Sequence, residues 1–417
     1  MDSTFVIIIF CLLLLLAYIF DLTSKKTKIP SVILLLALGF GIQKLVNSLH
    51  FAVPNFNPIL EVIATIGLIL IVLEGSLELQ LNKSKLPIIK KSFFGALVSM
   101  VVLAITLAFF FHKFGGYSLK LSLISAIPFC VISSAIAIPS VSGLSQINKE
   151  FVIYESSLSD ILGVIFFNFI ALNAVINAKA FLFFGVEFVF LIIISLLASL
   201  VLAYLLKKID HHVKFIPITL LIILIYNLLK IYHLPALIFI LIFGIFLGNF
   251  DYFYRFEFIK KFKTDNFKEE IKKFHDLTIE GAFLIRTLFF ILFGFLIKTD
   301  ELLNTNTLVW AGLIVFLIFA FRLIQLKLSK IPLSPLLFVA PRGLITILLF
   351  LSILPSQNIA LVNKSLIIQV ILLTALIMTF GMIFTSKKTE KEAIAATDGL
   401  VNGKESFLNE EQSVDEA

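Results

Sequence analysis

Long apolar runs separated by short polar stretches repeat along nearly the whole chain. They fall near 4–20, 29–45, 58–78, 92–111, 118–142, 151–175, 181–206, 215–229, 234–249, 277–297, 306–325, 333–353 and 364–385. A helix needs roughly 20 such residues to cross the hydrocarbon, fewer when other helices surround it. Without water to bond with, backbone N–H and C=O groups in lipid must be paired internally. The pattern predicts an all-α polytopic membrane protein with about 13 transmembrane helices. Two stretches depart from it. Residues 251–276 interleave Phe and Tyr with Lys, which predicts an amphipathic linker helix on the cytoplasmic side, lying in the headgroup region. Residues 386–417 are polar and acid-rich without apolar periodicity, which predicts a disordered cytoplasmic tail. The expected organisation is a first membrane part over 1–250 (spans 1–9, with span 7 as a linker), the linker helix, and spans 10–13 over 277–385.

Composition agrees with the pattern. Hydrophobic residues make up 59% of the chain and charged residues 15%, against about 25% charged in soluble domains. A soluble enzyme, a nucleic-acid-binding domain and a disordered chain are excluded. The net charge of +7 reflects Lys and Arg gathered on one side of a membrane, not an affinity for nucleic acid. No basic segment precedes the first apolar run, and Lys25, Lys26 and Lys28 follow it. That order predicts a spanning helix with its N-terminus outside, rather than a signal peptide. Threading thirteen spans from there puts 25 basic residues inside, Arg322 among them, and seven outside. The C-terminus is then cytoplasmic. Cys11 and Cys130 lie within apolar runs and read as small buried hydrophobes. Ile-, Lys-, Phe- and Asn-rich usage suggests an AT-rich bacterial genome, and the expected location is a bacterial cytoplasmic membrane.

An odd number of spans lets spans 1–6 and 8–13 form inverted six-helix repeats, a plan common in secondary transporters. Corresponding spans 5 and 12 are both interrupted, the first by Pro128, Pro139 and Gly143, the second by Pro335, Pro341 and Gly343. Paired discontinuous helices at mid-membrane point to a transport site. An ionisable side chain at that depth costs on the order of 3 kcal/mol. At about 1.5 Å per residue, Asp160 in span 6 lies roughly 13 Å into the membrane, with Arg286 and Arg342 at the same depth. Ser133 and Ser134 reach it from span 5, while Glu155 lies a turn below Ser159 and Glu74 sits in the inner half of span 3. Three carboxylates against two arginines leave one negative charge for a proton or cation to neutralise. That sum predicts ion–proton exchange.

These residues resemble those of the monovalent cation:proton antiporter superfamily, the Na+/H+ exchangers and their K+ relatives, particularly the electroneutral bacterial branch. The resemblance rests on SSAIAI (133–138), ESSLSD (155–160) and APRGLITILLF (340–350), with weaker matches in LEGSLEL (73–79) and TLFFILFG (287–294). It implies crossed discontinuous helices in a transport core, and a homodimer formed by a second helical layer. By position it implies that Asp160 binds the ion or the proton, with Ser159, Ser133, Ser134 and Glu74 around it. It further implies a Glu155–Arg342 salt bridge joining the sixth and twelfth helices, and charge compensation by Arg286. The residue before the aspartate is Asn in the electroneutral branch, Asp in the electrogenic branch and often Gln in the K+-linked branch. Ser159 departs from all three. The implied cargo is Na+, with Li+ or K+ as alternatives, exchanged for H+ in an electroneutral one-for-one cycle. No cofactor is implied, and the expected partners are lipids, the transported ions and a second copy of the chain.

Three other classes compete. A membrane-embedded enzyme needs a nucleophile–base pair or a metal cluster at depth. All six histidines (His50, His112, His211, His212, His233 and His275) fall in loops or at span ends, and neither HExxH nor GxSxG occurs. An organic-anion symporter shares the inverted plan but predicts an excess of basic charge at the site. A channel or ion-sensing subunit on the same fold differs from an exchanger in lacking proton countertransport.

Overall fold

The computed structural model describes residues 3–27, 29–50, 55–79, 83–141, 143–173, 177–209, 211, 213–232, 234, 236–253 and 267–385. The described residues form α1 (Ser3–Thr27), α2 (Ser31–Ser48), α3 (Asn57–Glu78), α4 (Leu86–Gly115), α5 (Leu119–Ala126), α6 (Ser134–Ser140) and α7 (Gln146–Leu172). These are followed by α8 (Ala178–Lys208), α9 (Phe215–Ile231), α10 (Leu237–Gly248), α11 (Phe267–Phe295), α12 (Thr305–Leu328), α13 (Leu344–Leu351) and α14 (Lys364–Thr385). Ten segments are long and apolar enough to cross a membrane, with Leu119–Ser140 counted as one, while α9 and α10 are shorter apolar helices. Each apolar run of the sequence thus coincides with a helix or an interrupted helix.

Only part of the linker helix expected over 251–276 can be compared. Residues 254–266 lie outside the described residues, as does the tail 386–417. From Phe267 onward the chain is already the first turns of α11. Phe267, Ile271 and Phe274 recur at helical spacing, and Phe267 and Phe274 are buried. Phe274 packs on Phe215 and Phe243, with ring centroids 6.3 and 6.2 Å away. The aromatic residues of this stretch therefore face other helices. Cys130 is buried as expected, whereas Cys11 is exposed on α1.

The helices sort into two groups by contact. In the first, α11 packs on α2 and α3, α10 on α3 and α8, and α1 and α9 on their neighbours. In the second, α4 packs on α5, α7 and α12, and α6 and α13 gather around α7 and the interrupted span. The groups meet where α3 touches α6, α7 and α13, where α10 touches α7 and where α1 touches α6. Small residues set the closest approaches in the first group. A Cβ on Gly294 would collide with the Leu36 carbonyl of α2. On α10, Gly244 and Gly248 form a GxxxG face, and a Cβ on Gly248 would collide with the Leu77 carbonyl at the end of α3. Close backbone contact of this kind replaces the hydrophobic drive that lipid removes. Apolar side chains such as Phe181, Val186, Phe190 and Leu197 of α8 point outward, exposed.

Two spans are broken. After α5 a short 3-10 turn (Ile127–Cys130) leads through extended residues 131–133 into α6. A second 3-10 turn (Leu336–Phe338) leads through irregular residues 339–343 into α13. Prolines remove donors at both places, and the breaks touch: the Ser133 N–H donates to the Pro341 carbonyl at 2.9 Å.

Gly248→Val should force α3 and α10 apart. Overpacking of this kind typically costs about 1–3 kcal/mol, so the variant should melt at a lower temperature than wild type in detergent. An unchanged melting temperature would mean that the contact does not constrain the fold.

Candidate ion site

Asp160 lies midway along α7, 2% exposed. Its Oδ2 accepts a hydrogen bond from the Ser134 hydroxyl, in the first turn of α6. Its Oδ1 has no hydrogen-bond partner. A cavity of about 10 Å³ adjoins the carboxylate, lined by Ser76, Ser134, Ser157 and Asp160 with Ile71, Val72, Ile161 and Leu241. That is room for about one water-sized particle.

Ser159 does not line this cavity. Its Oγ accepts the Ile132 N–H at 3.0 Å, pairing a donor released by the broken helix. Ser133 anchors the same break through its backbone, and its buried Oγ has no hydrogen-bond partner. Glu74 is half-buried on α3, two residues from both Val72 and Ser76. At about 100° per residue it points to the opposite side of the helix from them. The charges facing it are Arg286 of α11, Glu78 and Asp21. Glu74 and Arg286 thus belong to a separate polar patch within the first helical group.

The expected Glu155–Arg342 bridge is not formed. Glu155 instead pairs with Arg322 of α12, whose guanidinium and the Gln325 amide both bond to Glu155 Oε1. Arg322 Nε also donates to the Leu336 carbonyl at 3.2 Å, and its guanidinium lies 5.8 Å from the centre of the Phe151 ring. Arg342 goes to carbonyls that the two breaks have left without helical partners: Phe129 on one and Ala340, at 3.0 Å, on the other. Its own N–H donates to Thr374 of α14 at 3.1 Å. Arg342 is therefore committed to the breaks, and Glu155 takes its partner from α12. Sequence threading had put Arg322 in an inner loop, yet it is 2% exposed. The signal was present, because Arg322 and Gln325 stand three apart on one face, inside the apolar run 306–325.

Arg322 also alters the charge sum. Asp160 and Glu155 are now balanced by Arg322 and Arg342, so no negative charge is left over once all the buried groups are counted. The charge argument against an organic-anion carrier lapses with it.

A second cavity, of about 480 Å³, lies on the Lys230 side of Asp160. Glu61, Asn168, Tyr226, Lys230 and Gln357 supply much of its polar lining. Its apolar lining includes Leu68, Val164, Leu237 and Ile345. One helical turn further along, Ile71, Ile161 and Leu241 bound the Asp160 cavity.

The family model described as "Sodium/hydrogen exchanger, transmembrane" matches residues 11–387. No curated protein matches the chain. Among solved structures, the chain resembles that of the sodium proton antiporter MjNhaP1 from Methanocaldococcus jannaschii at pH 8. The TM-score is 0.66 at 20% identity, over 91% of this chain and 100% of that one. An electron-microscopy structure of the same antiporter gives a TM-score of 0.63 at 18% identity, over 92% and 95% of the two chains.

Removing one member of a buried ion pair typically costs about 3–5 kcal/mol, because the other is stranded. Arg322→Ala should therefore sharply lower the melting temperature in detergent. Adding Glu155→Gln to Arg322→Met should recover much of the loss. Wild-type stability of Arg322→Ala would refute the brace.

Proposed function

The chain belongs to the sodium/hydrogen exchanger family, and from that premise we propose that it exchanges Na+ for H+ one for one, by alternating access around Asp160. It is an integral membrane transporter and not an enzyme. The observation that carries the proposal is the Asp160 carboxylate itself. It is buried beside two broken helices, with one oxygen held by Ser134 and the other unpartnered at a cavity wall. A carboxylate so held can take either a proton or a hard cation, which prefers oxygen ligands. Occupation by one excludes the other, and that competition couples their movements.

The one-for-one ratio follows from what surrounds Asp160. Ser159 carries no titrating group and its hydroxyl caps Ile132. Glu155 is paired with Arg322, and Arg342 with backbone carbonyls. Asp160 is the one carboxylate lining its cavity. In this reading the second helical group carries Asp160 past the first, with the larger cavity as the outward access path. The inverted repeat, the outside N-terminus, a bacterial cytoplasmic membrane and a homodimer through the first group complete the proposal.

Asp160→Asn keeps the size of the side chain and removes its charge. In proteoliposomes with an imposed pH gradient, it should abolish Na+-driven dissipation while the protein still folds. Wild-type flux in that variant would refute the assignment. The same assay with Li+ and K+ decides the cargo, and dissipation by K+ alone would make the protein a K+/H+ antiporter.

Stoichiometry has its own test. Transport driven by a cation gradient should build no membrane potential, and clamping the voltage should leave the rate unchanged. A measured potential would mean that a second charge moves.

A further inference from the structure

We propose that Ser157 is a direct ligand of the transported cation, which it holds together with the Asp160 carboxylate and the Ser134 hydroxyl as a single bare ion. The inference rests on the antiport reading above and deepens it. The motif directs attention to Ser159, next to the aspartate, but that hydroxyl is occupied by the Ile132 N–H. Ser157 precedes Asp160 by three residues and so shares its face of α7.

Three observations single out Ser157. It is 8% exposed and lines the Asp160 cavity. Its Oγ has no hydrogen-bond partner, the same condition as Asp160 Oδ1. Serines and threonines within these helices commonly donate back to the carbonyl four residues earlier, as Ser156 does to Val152 at 2.7 Å and Ser199 to Ser195 at 2.6 Å. The Ser157 hydroxyl does not, although the carbonyl four residues back is a local acceptor open to a serine within a helix. Across from it, α3 presents Gly75, where a Cβ would come within 3.2 Å of Ser157 Oγ. A glycine there leaves the hydroxyl room to face the cavity.

The chemistry of the cavity fits a hard cation. Its polar wall is carboxylate and hydroxyl oxygen, with Ser76 Oγ as a fourth oxygen, itself donating to the Leu73 carbonyl at 2.9 Å. Hydroxyl lone pairs remain available to a cation while the proton is donated elsewhere. The other walls are Ile71, Val72, Ile161 and Leu241, which offer nothing to a hydration shell. At about 10 Å³ the space holds one particle the size of a water. The ion must therefore enter without its shell, and the loss is met by protein oxygens.

The test is direct Na+ binding to the purified full chain in detergent, by radiolabelled Na+ and by Na+-dependent thermal shift. Ser157→Ala should weaken Na+ binding by about tenfold, the scale of one lost polar contact. Without Na+ it should melt at or above the wild-type temperature, because an unpartnered buried hydroxyl has been removed. Ser157→Cys keeps the size but offers a soft sulfur, so its Na+ affinity should fall alongside that of the alanine variant. Na+ affinity within twofold of wild type in both variants would overturn the assignment. So would a fall in both melting temperatures with affinity retained, since that marks a structural role. Asp160→Asn separates the two levels. Na+ binding that persists in Asp160→Asn, or is absent from the wild type, sinks the Na+/H+ reading. Binding lost in Asp160→Asn but retained in the Ser157 variants sinks only the present inference.

Discussion

Two helices interrupted inside a membrane leave backbone donors and acceptors in a medium that cannot hydrate them. The arrangement of the second helical group follows from how those groups are paired. The Ser133 N–H is paired by Pro341 of the other break, and the Ile132 N–H by Ser159 of α7. The Phe129 and Ala340 carbonyls are paired by Arg342, which is itself tied to Thr374 of α14. Together these bonds tie the two breaks to each other and to α7 and α14, so the breaks cannot shift without exposing a polar group to hydrocarbon. Ser134 stands at the start of α6 because the chain breaks there, and it is this serine that orients Asp160.

The buried charges are organised by the same requirement. Arg342 is drawn to carbonyls, which leaves Glu155 to be neutralised by Arg322 of α12, with the Gln325 amide donating to the same oxygen. Gly95 of α4 gives that pair its space, since a Cβ there would come within 2.6 Å of the Gln325 amide. The result is a cross-braced block, α7 with α12 and the breaks, in which Glu155, Arg322 and Arg342 all have protein partners while one oxygen of Asp160 has none. Glu74 and Arg286 lie outside this block.

Much of this was legible in the sequence, for physical reasons. Run length and the Lys/Arg asymmetry determine spans, and intramembrane Pro and Gly determine breaks. The energetic cost of a buried carboxylate pointed to Asp160. Position along each helix was therefore readable, whereas direction around it was not. Glu155 and Arg342 have different partners, and Glu74 lies between the cavity-lining Val72 and Ser76 but on the opposite face of α3. Ser159 lies about 100° around the helix from Asp160, whereas Ser157, three residues away, lies about 60° from it. Helical angle alone favours Ser157, yet motif adjacency pointed to its neighbour. At 267–274, Phe interleaved with Lys looks the same in the sequence whether it faces lipid or another helix, and Phe267 and Phe274 are buried.

The walls of the Asp160 cavity are not all of one piece. Ser134, Ser157, Asp160 and Ile161 belong to the second helical group, whereas Ile71, Val72, Ser76 and Leu241 come from α3 and α10 of the first. The chamber therefore exists only at one registration of the two groups, as a lock's keyway exists only when its pins align. Sliding one group past the other by a single turn of about 5.4 Å would replace the partner wall entirely. An ion seated there would report the alignment of the two groups, and their alignment would determine whether an ion can be seated.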